Sequence, residues 1–346
     1  MNQRHRVLWI FLSACFLGSG SAARAQTVSP SRIAAPLAGL LANPETTEVC
    51  AIEGVPGASI IGSPIALPVG VLRVHLAPAQ GWALVEQAPA GTLGVMTFSG
   101  VQPGSVIPID NAMSAPDIVS FSPAGKSAVV VSNAAAMLQV LTRLDSTPEL
   151  TMQTAISGLG EVSAAAVSDD GTSTVALTSD GRVFLLSSTQ TPQSIFQAGS
   201  PVGLSFLPGQ PAVAIVDGGA ATISVIDGLN SAPFTRIGMP GPSLSGDSVL
   251  VQASSDAQSL FVAANGGTSA YRIGLANQSV LTLAVPASLS QLERLRGGDI
   301  FLFSANPGEA AWLLLSDGPN FSVAFAQWTG GHEARRVPPM PPQGRR

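Results

Sequence analysis

The chain has 346 residues, of which 46% are hydrophobic and 11% charged, less than half the ~25% charge of an average soluble domain, and this excludes disorder as its default state. Residues 27 to 331 hold 20 acidic against nine basic residues, a balance that excludes nucleic acid as a natural partner. Its 36 glycines and 27 prolines punctuate the chain into many short elements rather than a few long ones.

Taken in order, Arg4, His5 and Arg6 precede the apolar run from Val7 to Leu17, which is too short to span a bilayer and reads as a signal peptide. The small residues of Ala23-Arg24-Ala25 place the cut after Ala25, so residues 1–25 are expected to be removed and the protein secreted or periplasmic. Leu12-Ser13-Ala14-Cys15 offers an alternative, a lipobox in which Cys15 carries a lipid anchor. No later stretch is long and apolar enough for a membrane span. Without Cys15, Cys50 is alone, so no internal disulfide forms and a buried free thiol is expected. A reactive thiol needs a histidine, and the mature chain offers only His75 and His332, neither in a recognisable motif.

Residues 26–47 are rich in Ser, Ala and Pro and read as a linker or arm. Residues 332–346 contain the run Pro338 to Pro342 and the arginines Arg335, Arg336, Arg345 and Arg346, and read as a disordered basic tail. Between them, residues 48–331 repeat. The clearest hairpin is AVAIVDGGAATISVID from Ala212, in which Gly218 and Gly219 are expected to supply the positive φ of a tight turn between two strands. Cruder copies run from Val74, Asp117, Ala164 and Leu250.

Taking Leu76, Phe121, Val167, Phe206 and Ala253 as equivalent residues of successive first strands gives spacings of 45, 46, 39 and 47. That period suits a four-stranded propeller blade. A sixth unit begins at Leu292 with LERLRGGDIFLFSA, followed by AAWLLL and FSVAFAQW. The expected fold is therefore all-β, a β-propeller of about six four-stranded blades, with seven possible. Strands at Ala58 to Ile61 and Ile65 to Leu67 are expected to pair with the last blade and close the ring.

Ile215 to Asp227 resembles the YVTN-type propeller repeat, and Phe261 to Gly267 resembles its first half. The turn Ser122-Pro123-Ala124-Gly125-Lys126 is similar to the SPDGK turn of WD40-like and TolB-type propellers, departing from it where Ala124 replaces the usual Asp. The resemblance implies a fold. It does not by itself imply an activity, since propellers host hydrolases, lyases, lectins and inert scaffolds.

No nucleophile elbow, phosphate loop, dinucleotide fingerprint or zinc motif occurs, and no cofactor is expected. Asp169-Asp170-Gly171 and Asp180-Gly181 lack the spaced oxygens of a calcium loop and read as turns. Trp82, Trp312, Trp328 and Tyr271 are too thinly spread for a sugar platform and read as core. Two features point to a site. Asp117, Glu161 and Asp247 each precede a first strand, positions that in a propeller gather at one channel mouth, and His75 lies in a first strand that lines the channel. The expectation is an exported, non-catalytic binding or scaffold module whose partner is a protein or a polar or cationic ligand. The alternative implied by the YVTN resemblance is a lactonase or lyase using these acidic residues and His75.

Overall fold

A computed structural model describes residues 35–42, 47–188, 190–199, 202–245, 248–296, 298–304, 310–317 and 320–329. The expected signal peptide, Cys15, Asp247, His332 and the basic tail lie outside them. Among the described residues there is no helix long and apolar enough to cross a membrane.

The chain opens with β1 (Leu37–Ala42), β2 (Val49–Val55) and β3 (Ala58–Pro64). Five four-stranded antiparallel meanders follow. The first blade is β4 (Val71–Leu76), β5 (Trp82–Gln87), β6 (Thr92–Ser99) and β7 (Gln102–Pro108). The second is β8 (Ile118–Phe121), β9 (Ala128–Ser132), β10 (Met137–Thr142) and β11 (Glu149–Ala155). The third is β12 (Val162–Val167), β13 (Thr174–Thr178), β14 (Arg182–Leu186) and β15 (Gln193–Gln197). The fourth is β16 (Val202–Phe206), β17 (Val213–Asp217), β18 (Thr222–Asp227) and β19 (Phe234–Pro240), and the fifth is β20 (Val249–Ala253), β21 (Ser259–Ala264), β22 (Ser269–Gly274) and β23 (Val280–Ala284). The sixth, β24 (Glu293–Arg294), β25 (Ile300–Ser304), β26 (Ala311–Asp317) and β27 (Asn320–Trp328), continues into β3, β2 and β1. Leu76, Phe121, Val167, Phe206 and Ala253 each end a first strand, as the repeat spacing requires.

Burial explains the sequence of each strand. The second strands are sandwiched between neighbouring blades and buried on both faces, so β9 reads AVVVS and β17 reads VAIVD, every residue buried. The outer strands β15 and β23 are mostly exposed and carry polar residues or isolated apolar ones.

The apolar clusters close the ring. Each pair of consecutive blades shares one, such as Leu84 and Val95 with Val130 and Leu141 between the first and second. The remaining two clusters are made by β1–β3. Cys50, Ile52 and Ile61 pack against Leu302 and Leu313 of the sixth blade, and Leu40, Val49 and Ala51 pack against Val74, Val85 and Met96 of the first. The N-terminal strands thus fill the sector between the last blade and the first, where a six-blade ring would otherwise leave apolar faces open. The end of β27 seals them. Its residues Ala326 to Trp328 pair parallel with Ser59 to Ile61, and the Thr329 amide donates to the Ile61 carbonyl at 3.0 Å.

Gln80 ties the joint at its inner edge. Its buried amide accepts from Leu40 N (2.7 Å) and donates to Leu40 O (2.9 Å), while the Arg296 guanidinium donates to the Gln80 main-chain carbonyl at 3.1 Å, so blades one and six and β1 meet at one residue.

Three expectations need correction. The sheet begins at Leu37, inside the stretch read as an arm, because the short apolar segment LAGLLA has a buried place between two blades. Ile65 to Leu67 form no strand. Ile65 N donates to Val49 O, but Pro64 and Pro68 on either side have no amide to extend a ladder. The β17–β18 connection is a four-residue loop in which Ala221, with φ 51°, takes the left-handed conformation in place of Gly218 or Gly219.

Candidate binding site in the central channel

The first strands line a channel along the ring axis. Ala253 N donates to Ser205 Oγ at 3.2 Å from the fifth blade to the fourth, and Arg294 of β24 donates to the Ala253 carbonyl, so neighbouring inner strands are held side by side. Two cavities divide the channel.

Towards the starts of the inner strands lies a cavity of about 480 Å³ walled by Ile118, Ala164, Val202, Leu204, Leu250 and Leu292, with serine and threonine hydroxyls between them and no charged side chain among the described residues. Towards their ends, at the first turns, lies a neck of about 230 Å³ lined by His75, Gln80, Glu293 and Arg294. Ser120 and Gln252 line both, so the two spaces meet at these side chains.

The charges of the neck fall into sets. His75 Nε2 lies 3.1 Å from Glu86 Oε1, and Arg73 Nη1 lies 3.6 Å from the same oxygen. Glu86 is 3% exposed and faces these two from the adjacent strand, so the buried carboxylate has the partners that burial demands. Arg294 is held by the Ala253 carbonyl, by Asp299 at 3.6 Å, and by the Phe301 ring 5.4 Å below its guanidinium. Its burial lowers its pKa, against the pull of Asp299 and Asp169.

Glu293 differs. Its carboxylate has no hydrogen bond or ion pair among the described residues. The side chain is exposed towards the channel, and loss of solvation among the surrounding strands raises its pKa, opposed by the charge of nearby His75. Ser120 and Gln252 likewise have no side-chain hydrogen bond among the described residues. Glu293 in the neck and Ser120 and Gln252 at the junction are therefore polar side chains that the fold does not use.

Of the residues expected at a site, His75 is in the channel, with the partner the sequence had not revealed. Asp117 and Glu161 are exposed at the opposite end and line neither cavity. Asp117 serves the fold instead, since its carboxylate accepts from Asn133 N at 2.7 Å, and the Asn133 side chain binds Val162 N and O at 3.0 and 2.9 Å, joining the second blade to the third. Asp170 and Asp180 are turn residues, bonded within their own loops. Trp82 packs edge-on to Phe121 at 5.3 Å and Trp312 lies against Phe325 at 5.6 Å, while Tyr271 and Trp328 pack on apolar clusters. Among the described residues no three His, Cys, Asp or Glu side chains are arranged to hold a metal ion.

Reading the sequence missed Glu86, Gln252, Glu293 and Arg294. One signal was present, because Glu86 interrupts WALVEQ, a second strand of the kind buried on both faces, and a carboxylate there needs a partner.

No family model matches the chain, and no curated protein matches it in sequence. Solved structures do resemble it. A protein named as a candidate 6-phosphogluconolactonase from Bacteroides uniformis superposes with a TM-score of 0.58 at 9% identity, covering 84% of this chain and 94% of that one. A functionally unknown protein from Desulfotomaculum acetoxidans gives 0.55 at 13% identity, over 84% and 99% of the two chains. Hydrazine synthase from Kuenenia stuttgartiensis gives 0.51 at 12%, over 86% and 98%. At these identities the likeness is one of fold, and it places the chain among propeller-type structures.

Proposed function

We propose that this is an exported propeller that binds a small ligand in its central channel. The observation that carries the reading is the group of uncommitted polar side chains, Ser120 and Gln252 where the two cavities meet and Glu293 in the adjoining neck. Gln80 and Asn133, by contrast, are spent on joining neighbouring elements. A concave, mostly apolar space with a few convergent polar groups is the usual form of a ligand site. The test is a ligand-observed NMR screen of small molecules against the protein and a Ser120→Trp variant that fills the junction. Hits lost in a folded variant support the reading, and a screen without channel-dependent hits removes it.

The hydrogen bond from His75 to buried Glu86 favours a second reading, because a histidine oriented by a carboxylate is the arrangement of a general base. A screen of lactones and polysaccharides decides it, since turnover abolished by His75→Gln would replace binding with catalysis. Export is tested at the N-terminus: protein starting at Gln26 supports a cleaved signal peptide, and acylated Cys15 supports a lipid-anchored envelope component.

A further inference from the structure

We infer that the channel ligand is an elongated organic cation, an amine with an apolar body, whose ammonium group sits on the Glu293 carboxylate while the body lies in the wider cavity. This rests on the channel-binding reading and gives it a chemical class. The first support is the division of charge in the neck. Arg73 and His75 face Glu86, and Arg294 is engaged by Asp299, the Ala253 carbonyl and the Phe301 ring. Arg296 donates to the Gln80 carbonyl, so the other charged groups on β4, β5, β24 and the β24–β25 turn are engaged, and of these elements only Glu293 keeps a carboxylate without a hydrogen-bond or ion-pair partner among the described residues. An anionic ligand in this neck would meet that carboxylate with no free guanidinium to receive it. A neutral ligand would displace channel water and leave the carboxylate poorer in partners still. An ammonium group supplies both the charge and the donors that Glu293 lacks.

The second support is the shape of the space. From Glu293 the way leads past Gln252 and Ser120 into a cavity whose walls carry no charge among the described residues and are dominated by Ile118, Val202, Leu204, Leu250 and Leu292. Such walls gain from apolar surface taken out of water, and the two side chains at the junction accept or donate a hydrogen bond along the way. One ligand with a charged end and an apolar body satisfies both parts. A bare ammonium ion would leave the wide part empty.

The experiment is isothermal titration calorimetry of the purified protein with hexylammonium, hexanol and hexanoate, probes that share a chain and differ in the head. Hexylammonium should bind at least tenfold more tightly than the other two, should weaken at least tenfold in Glu293→Gln, and should be lost in Ser120→Trp. Preference for hexanol or hexanoate, with binding still lost in Ser120→Trp, would overturn the cationic class while leaving the channel as the site. Absence of binding by all three would overturn the proposal, and the channel reading with it if the NMR screen is also empty. The comparison of heads on the unmodified protein does not depend on how well any variant folds.

Discussion

Asp170 and Asp256 sit in first turns of the ring and Glu293 on an inner strand, and the three carboxylates are treated in opposite ways. Asp170 accepts from Ser168 Oγ at 2.6 Å, Thr172 Oγ1 at 2.9 Å and Thr172 N at 3.0 Å. Asp256 repeats the pattern with Ser254 Oγ and Gln258 N. In both turns the first serine also accepts from the amide five residues on, Ser173 at 3.0 Å and Ser259 at 2.9 Å. Burial raises the pKa of Asp170, but the bonds from Ser168 and Thr172 outweigh it and the net movement is down. For Asp256 the Ser254 bond is the largest cause of a lowered value, followed by Gln258 N. Glu293 has no such donors and moves up. The turn carboxylates are bonded within the loops that shape the blades, whereas Glu293 faces a cavity with no donor among the described residues, and a carboxylate left unpartnered in a cavity is where a binding role is expected. Desolvation alone does not mark such a place. Cys50 is pushed up to about 11 by burial, with Glu48 adding to it, yet its thiol lies in the closed core between the N-terminal strands and the sixth blade.

The largest effect that sharpens this contrast is on Cys50. A move from 9.0 to about 11 lowers the thiolate fraction at pH 8 by about a hundredfold. Alkylation by iodoacetamide should therefore be at least about a hundredfold slower in the folded protein than in urea, and rapid labelling of the folded chain would show that this group is open.

Next in size is the paired variant Asp170→Ala with Asp256→Ala. Each exposed turn should cost about 1 kcal/mol, and together they should lower Tm by about 4 °C. The sign follows from linkage: with folded pKa values below the unfolded ones, the stability these groups supply is present above the unfolded pKa and lost as pH falls through the folded value. Calorimetry from pH 7 to pH 3 should thus find the variant converging on the original protein at low pH. A constant gap at all pH values would break the account of the turns.

The smallest effect is the stability of Glu293→Gln. A folded pKa above the unfolded one contributes stability that is full below the unfolded value and lost as pH rises through the folded value, so the charge is a burden at pH 8 and none at pH 4. Replacement by Gln should raise Tm at pH 8 and leave it unchanged at pH 4. A lower Tm at pH 8 would place Glu293 with the turn aspartates.

The blades were legible in the sequence because each repeats one physical pattern: an inner strand, a turn near Ser122, Ser168 or Ser254, then a strand buried on both faces. The departure at Ala124 is legible only in three dimensions. Ala124 stands where Asp170 and Asp256 stand in their turns, and its amide is taken instead by Asp169 of the next blade at 2.7 Å. β1 was hidden because six small and apolar residues after a Ser- and Pro-rich stretch give no period, and its place depends on the first blade and on the sixth, which lies far along the chain. The acidic residues before the first strands were easy to group by position, but position does not say which way a carboxylate turns. The neck joins Glu293 to His75 across more than two hundred residues. Only closure of the ring brings them together, so no local pattern announces the pair.

The most direct test of the central claim is a carbon-13 NMR titration of the glutamate carboxyls, with the Glu293 signal assigned by its loss in Glu293→Gln, run with and without hexylammonium. His75 is the charged group that acts on it, and the His75 ring should be followed in the same titration. A Glu293 midpoint above the ordinary glutamate range that falls when the amine is added is the predicted result, because a bound cation favours the ionised form. A midpoint within or below that range, unmoved by the amine, would contradict it.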